Sequence, residues 1–220
     1  DDRWPTYLVY ACFDNTFNWN ANGNNLYGEV EDNIDMSPEI FVSRLPVRNS
    51  SHINNYITKL LRYEKNAENM NVYANKILFA GSGIFSSGGG GAVNSDTHDR
   101  GNRMYETLVA PYFAAPYHYL YDTGSSFSDA DVFSADQIQT VLSKGFNIVH
   151  IDAHGEFDRW KVGDYTSRTE YTTEHASSLN SPNLTCIISS ACFINNFAAD
   201  TVCLSEAFIR SATSGNIAFI

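Results

Sequence analysis

Positive charge is scarce in this 220-residue chain: 14 lysines and arginines stand against 25 aspartates and glutamates, a net charge of −11. Binding a phosphate backbone needs a concentrated basic face, so no nucleic-acid partner is expected. Long apolar runs are missing too. Stretches such as 148–151 and 218–220 fall far short of the roughly 20 residues that cross a bilayer, so no membrane span is expected. Cysteine is sparse, and Cys12, Cys186, Cys192 and Cys203 match neither a CxxC zinc pair nor a dense disulfide framework. Two bridges, or one reactive thiol with three packed ones, both fit that spacing. The dinucleotide and P-loop patterns are also absent. Gly81-Ser82-Gly83-Ile84-Phe85-Ser86 lacks the third glycine and any Gly-Lys-Ser/Thr ending, which excludes a phosphate loop there. The chain opens on Asp1-Asp2-Arg3, without initiator Met or signal peptide, and 215–220 reads as a buried strand cut at its end. A piece of a longer protein is expected.

What is present is a globular composition. Hydrophobic residues make up 43% and charged residues 18%, enough for a sizeable core and unlike a disordered chain. Short apolar runs alternate with amphipathic stretches, the pattern of a parallel sheet wrapped by helices. Strands are expected at 7–11, 40–44, 76–80, 117–121, 146–152, 184–189 and 216–220. Ile53, Tyr56, Ile57, Leu60 and Leu61 recur at helical spacing, which predicts a helix over 51–65 with that stripe buried. A second helix follows the capping pair Ser134 and Gln137, carries Ile138, Val141 and Leu142, and stops at Gly145. Helices are also expected around Met104 to Val109 and around Ala199 to Ala207. Asn15 to Asn25 and the glycine-rich 81–95 are expected loops. A boundary near 66–75 would divide a partial N-terminal subdomain, 1–70, from a catalytic subdomain, 71–220, truncated at its C-terminal end.

The chemistry is concentrated in two segments. Ile148-Val149-His150-Ile151-Asp152-Ala153-His154-Gly155-Glu156 and Leu184-Thr185-Cys186-Ile187-Ile188-Ser189-Ser190-Ala191-Cys192 each run as an apolar strand into a small residue and then one reactive side chain. In an open parallel sheet, ligands bind beyond the carboxyl ends of the strands, so neighbouring strands of this kind would bring an imidazole and a thiol together. A nearby histidine favours the thiolate and can later protonate a leaving amine. The N–H groups of Gly155 and Cys192 would suit a developing oxyanion.

A hydrophobic block ending in His-Gly, followed by another ending in Ala-Cys, resembles the caspase-like clan of cysteine peptidases. Asp35-Met36-Ser37-Pro38-Glu39-Ile40-Phe41-Val42-Ser43-Arg44-Leu45-Pro46-Val47 narrows the resemblance to the gingipain family, C25. So do Cys192-Phe193-Ile194-Asn195-Asn196-Phe197 and Cys203-Leu204-Ser205-Glu206-Ala207-Phe208. The resemblance implies a caspase-like three-layer α/β sandwich, with a mainly parallel sheet and helices on both faces. It implies a cysteine endopeptidase with Cys192 as nucleophile, His154 as catalytic histidine and Gly155 as oxyanion donor, acting on protein or peptide substrates. Relatives that cleave after Arg or Lys place an Asp between the Gly-rich loop and the next helix, a stretch that here holds Asp96 and Asp99. A secreted or cell-surface bacterial enzyme follows from the same kinship. No cofactor is required for the chemistry, and a structural calcium ion is admissible.

Plainer readings stand beside these. Ser190 occupies a position that is acidic or amide in much of the clan, and no Glu suits a third catalytic role. Asp152 shares a strand face with His154 and could orient it or cap a turn, and His150 is read as structural. Asp96 and Asp99 could be helix caps. Cys186 and Cys203 are read as packed, mid-strand and mid-helix. The alternative from another class is a catalytically silent caspase-like module that binds a protein partner. Acyl transfer or ligation by the same dyad is a third.

Overall fold

The computed structural model describes residues 8–13, 18–65, 74–83, 107, 109, 111–112, 118–121, 131–163, 167–198, 200–212 and 216–220. Backbone contacts divide the chain into two compact units, Asp1–Leu45 and Pro46–Ile220. In the first, α1 (Leu8–Ala11) is a single helical turn, so the strand expected at 7–11 is corrected over its described residues. Periodicity cannot tell so short an apolar run from a helix. The strand expected at 40–44 also fails: this stretch pairs with no described strand and is exposed throughout. The unit is organised instead around Asp32, whose buried carboxylate accepts the N–H groups of Gly28 and Glu29 at 3.1 Å.

The second unit holds the sheet. Its strands are β1 (Ile77–Gly81), β2 (His118–Tyr121), β3 (Asp131–Val132), β4 (Ile148–Asp152), β8 (Thr185–Ser190) and β9 (Asn216–Phe219), in the order β3-β2-β1-β4-β8-β9. Every pairing is parallel. A second, antiparallel sheet, unforeseen in the sequence, contains β5 (His154–Glu156), β6 (Arg159–Val162) and β7 (Thr169–Thr172). The helices are α2 (Ser50–Lys65), α3 (Ala135–Leu142), α4 (Thr173–Ser178) and α5 (Leu204–Arg210). The arrangement is α/β, a parallel sheet with helices around it. The helix expected near Met104 to Val109, the glycine-rich loop beyond Gly83 and the boundary stretch 66–73 lie outside the described residues.

The central strands are apolar on both sides, as a parallel sheet covered on both faces requires. Leu78, Ala80, Val149, Ile151 and Ile187 point to one side, where they form a core with Ile138, Val141 and Leu142 of α3. Helix α3 starts as expected, the Ser134 side chain accepting from Gln137 N, and Gly145 at φ +79° follows its end. Helix α2 brings its Tyr63 hydroxyl to Asn147 Oδ1, just before β4, at 3.1 Å.

Helix α2 spans Ser50–Lys65, one residue more than the 51–65 expected, and only part of the expected stripe turns inward, with Tyr56 and Leu60 half-buried. Ile53, Ile57 and Leu61 are 40%, 46% and 42% exposed, whereas Lys59 is 1% exposed. The carbonyl end of α5 selects this rotation. Lys59 Nζ donates to the carbonyls of Phe208, Ile209 and Asn216 at 3.1, 2.7 and 3.3 Å, and a cation is stabilised at a helix C-terminus. Among the described residues, no helix is long and apolar enough to cross a membrane.

Candidate active site

Strands β4 and β8 are hydrogen-bonded neighbours, with Asp152 opposite Ser190. His154 and Cys192 each come two residues after that last pair, on strands running the same way. Both therefore leave the sheet at its carboxyl edge, side by side. The Ala153 N–H, 3.4 Å from the Ser190 carbonyl, extends the contact one step. There the segments part: His154 opens β5, while Cys192 enters a bend.

Gly155 is where they meet again. A Cβ added to it would lie 2.5 Å from the Cys192 carbonyl oxygen, 3.0 Å from Ile194 Cγ2 and 3.1 Å from Ala191 Cβ. Glycine is needed here for close approach within a strand. The bend after Cys192 has its own constraint. Phe193 has φ +62°, and its carbonyl accepts the Asn196 N–H at 2.9 Å. A left-handed conformation costs a residue with a Cβ about 1–2 kcal/mol, and such strain collects at functional sites. No Gly or Asn at 193 signals it, so the sequence reading missed it. Phe193 is 53% exposed, while Ile194 at 2% anchors the bend in the core.

The His154-Gly155 hairpin is held from beneath. Trp160, opposite Gly155, is fully buried and donates from Nε1 to Ser189 Oγ at 3.1 Å. Its ring lies 5.3 Å from Tyr171, 5.5 Å from Phe208 and 6.2 Å from Phe219. Such aromatic pairs each add about 0.5–1.5 kcal/mol beyond their buried area. Burial pushes the Tyr171 phenol far up. Two backbone ties complete the seating: Leu204 N–H to Phe157 O at 2.8 Å, and Ser82 N–H to Asp152 O at 2.8 Å. Ser82 Oγ also donates to Gly163 O at 2.8 Å, so the end of β1 braces the far end of the hairpin.

None of the four cysteines forms a disulfide, and among them Cys192 alone is exposed. Burial pushes Cys186 and Cys203 up, making both poorer thiolates. Cys203 is not mid-helix as expected but precedes α5 as its N-cap residue, its N–H donating to Glu206 Oε2 at 3.0 Å. Glu206 pairs in turn with Arg210, and both are buried. Asp152 is 3% exposed at the end of β4, and His150, 8% exposed, has its ring 6.4 Å from that of Phe79. Asp96 and Asp99 lie outside the described residues. Among the described residues no three His, Cys, Asp or Glu side chains converge to hold a metal, so none is assigned to the admissible calcium ion.

The solved Arg-specific cysteine proteinase gingipain R (RgpB) superposes with a TM-score of 0.65 at 20% identity, over 96% of this chain and 45% of that one. The complex of Porphyromonas gingivalis RgpB pro- and mature domains matches with a TM-score of 0.60 at 19% identity, over 83% and 40%. A further structure, described as a protease, gives a TM-score of 0.62 at 20% identity, over 84% and 37%. At such identities the likeness is one of fold, and the chain spans less than half the length of these proteins. No curated protein matches the chain. The family model for peptidase family C25 matches residues 3–220. With a match of that extent, laid over a parallel sheet whose carboxyl edge carries His154 and Cys192, the chain belongs to peptidase family C25.

Proposed function

We propose that this chain carries the catalytic core of a cysteine endopeptidase, with Cys192 as nucleophile and His154 as general acid and base. The observation that carries the reading is the shared edge: Asp152 opposite Ser190, the two reactive residues next but one, and Gly155 seated against Cys192. An exposed thiol and a histidine leaving neighbouring strands at one sheet edge, in a family of peptidases, fit peptide-bond hydrolysis better than partner binding alone. The Cys192 thiolate adds to the carbonyl carbon of the substrate. The N–H groups of Gly155 and Cys192 would receive the oxyanion. Collapse breaks the C–N bond, and the His154 imidazolium gives its proton to the departing amine, leaving a thioester. His154 then takes a proton from water as it attacks the thioester, and collapse breaks the C–S bond, freeing the acid and restoring the Cys192 thiolate and His154 imidazolium.

The reaction so written requires no cofactor. Asp96 and Asp99 are the proposed acids for a basic residue on the amino side of the scissile bond. By kinship the whole protein is proposed to act outside the cell or at its surface.

The test is made on the full-length protein under reducing conditions. Iodoacetamide is expected to alkylate Cys192 far faster than the other three thiols, and His154→Ala to remove that preference. A peptide library varied before the scissile bond should be cut by the parent and not by Cys192→Ala, and a preference for Arg or Lys implicates Asp96 or Asp99. Equal or negligible reactivity of all four thiols would overturn the enzyme reading and put the silent binding module in its place.

A further inference from the structure

The antiparallel pairing decides which side chains share a face with His154. In β5–β6 the register sets His154 opposite Lys161 and Glu156 opposite Arg159, and β7 adds Glu170 opposite Lys161. Side chains alternate along a strand, so these five lie on one face. Gly155, Trp160, Val162 and Tyr171 make the other, and the last three are fully buried. Directly opposed residues have Cβ atoms about 4.5–5.5 Å apart, which brings the Lys161 stem alongside the imidazole. Lys161 Nζ does not stand there as a lone cation: it pairs with the Glu156 carboxylate, two residues along from His154 on the same face. Arg159 is engaged separately. It bonds Asp158 through Nε and Nη2, both at 2.8 Å, pairs with Glu170, and lies 3.5 Å from the other Glu156 oxygen. The Arg159 hydrogen bond holds Asp158 below its usual range.

We propose that the Glu156–Lys161 pair is a positioning and charge-balancing pair for His154, keeping the field at the imidazole near neutral while the dyad exchanges its proton. This rests on the dyad reading above. Among the described residues, the charged and titratable groups around His154 are Glu156 on its own strand, Arg159 and Lys161 on β6, Glu170 on β7 and Asp158 in the turn. Buried Asp152 on β4 and Cys192 beyond β8 lie at the same end of the sheet. Glu156 and Lys161 are the opposite pair that brackets the histidine on its own face.

The inference has a sign. Removing the Glu156 carboxylate leaves an uncompensated cation, which favours loss of protons from both members of the dyad. Removing the ammonium leaves an uncompensated anion, which favours keeping them. Side chains here are 49% and 32% exposed, so solvent screens the effect. One charge about 7 Å away in a largely aqueous setting corresponds to about half a pH unit.

The test follows the rate of Cys192 alkylation by iodoacetamide against pH, in the full-length protein at low ionic strength. Glu156→Gln should move the profile about half a unit towards acid and Lys161→Met about half a unit towards alkali. The double variant should return close to the parent, Lys161→Arg should leave the profile in place, and 1 M NaCl should collapse the single-variant shifts. A purely structural role would lower rates without opposed shifts. Shifts of one sign, or none at low salt, overturn the proposal while His154→Ala still alters the profile. If His154→Ala leaves the profile unchanged, the dyad reading falls and this proposal with it.

Discussion

Gly155→Ala is the sharpest test of how the two reactive segments are joined. The added Cβ would meet the Cys192 carbonyl oxygen at 2.5 Å, a distance real Cβ atoms essentially never show. That oxygen is backbone, in the bend that carries the proposed nucleophile, so no flexible side chain can swing aside. To reach even 3.0 Å, the bend and the hairpin must separate by at least half an ångström along that line. Inserting a methyl into so close a contact costs about 1–3 kcal/mol. Gly155 lies in ordinary strand conformation, so alanine regains about 0.4–1 kcal/mol by restricting the unfolded chain. The net expectation is a loss of about 1–2 kcal/mol, read as a lowered urea midpoint with an unchanged slope. Reactivity should fall further than stability. A displacement approaching 1 Å between reacting groups can cost about 100-fold in rate, so Cys192 alkylation and peptide cleavage should drop by one to two orders of magnitude in protein that remains folded. An alanine variant with the parent's midpoint and alkylation within twofold of it would refute the close-approach argument and free Gly155 from its place in the site.

The remaining expectations concern the frame. Burial, with Arg62 adding to it, lowers Lys59 from 10.5 to about 8. Below pH 8 both folded and unfolded states hold the proton; between 8 and 10.5 the unfolded state binds more, so stability rises through that window and the gain is lost as pH falls through 8. Relative to Lys59→Met, the parent should gain on the order of 3 kcal/mol from pH 8 to 10.5 in denaturant melts, and parallel curves would show that Lys59 does not titrate there. Glu206→Ala removes the carboxylate that pairs with buried Arg210 and accepts the Cys203 N–H. A broken buried pair costs about 3–5 kcal/mol, so thermal unfolding should shift down by many degrees; a change within a degree or two would mean water replaces the carboxylate freely.

The strands that carry the proposed site were legible because each is a short apolar run leading to one polar side chain, His154 or Cys192. The runs at 146–152 and 184–189 became β4 and β8 within two residues, and their shared polarity already placed His154 and Cys192 at one edge. The start of α3 was legible for a local reason, since Ser134 caps the helix through its own neighbour Gln137. The 7–11 and 40–44 runs misled, because an apolar run states that burial is favoured without naming the element that buries it.

What the sequence determined by itself is therefore the set of groups and their order: apolar strand, histidine, glycine, then apolar strand, cysteine. Those depend on residue type and period, which are local. The tertiary structure decided the rest. That β4 and β8 are adjacent, that β5, β6 and β7 form a second sheet on the Trp160 aromatic cluster, and that Gly155 lies against Cys192 depend on residues far apart in the chain. The rotation of α2 is of the same kind. Its sequence offers isoleucine and leucine to the core, yet the carbonyl end of a helix some 150 positions away draws in Lys59 instead. A charged side chain is buried where distant backbone acceptors can satisfy it, and no pattern within fifteen residues can announce that.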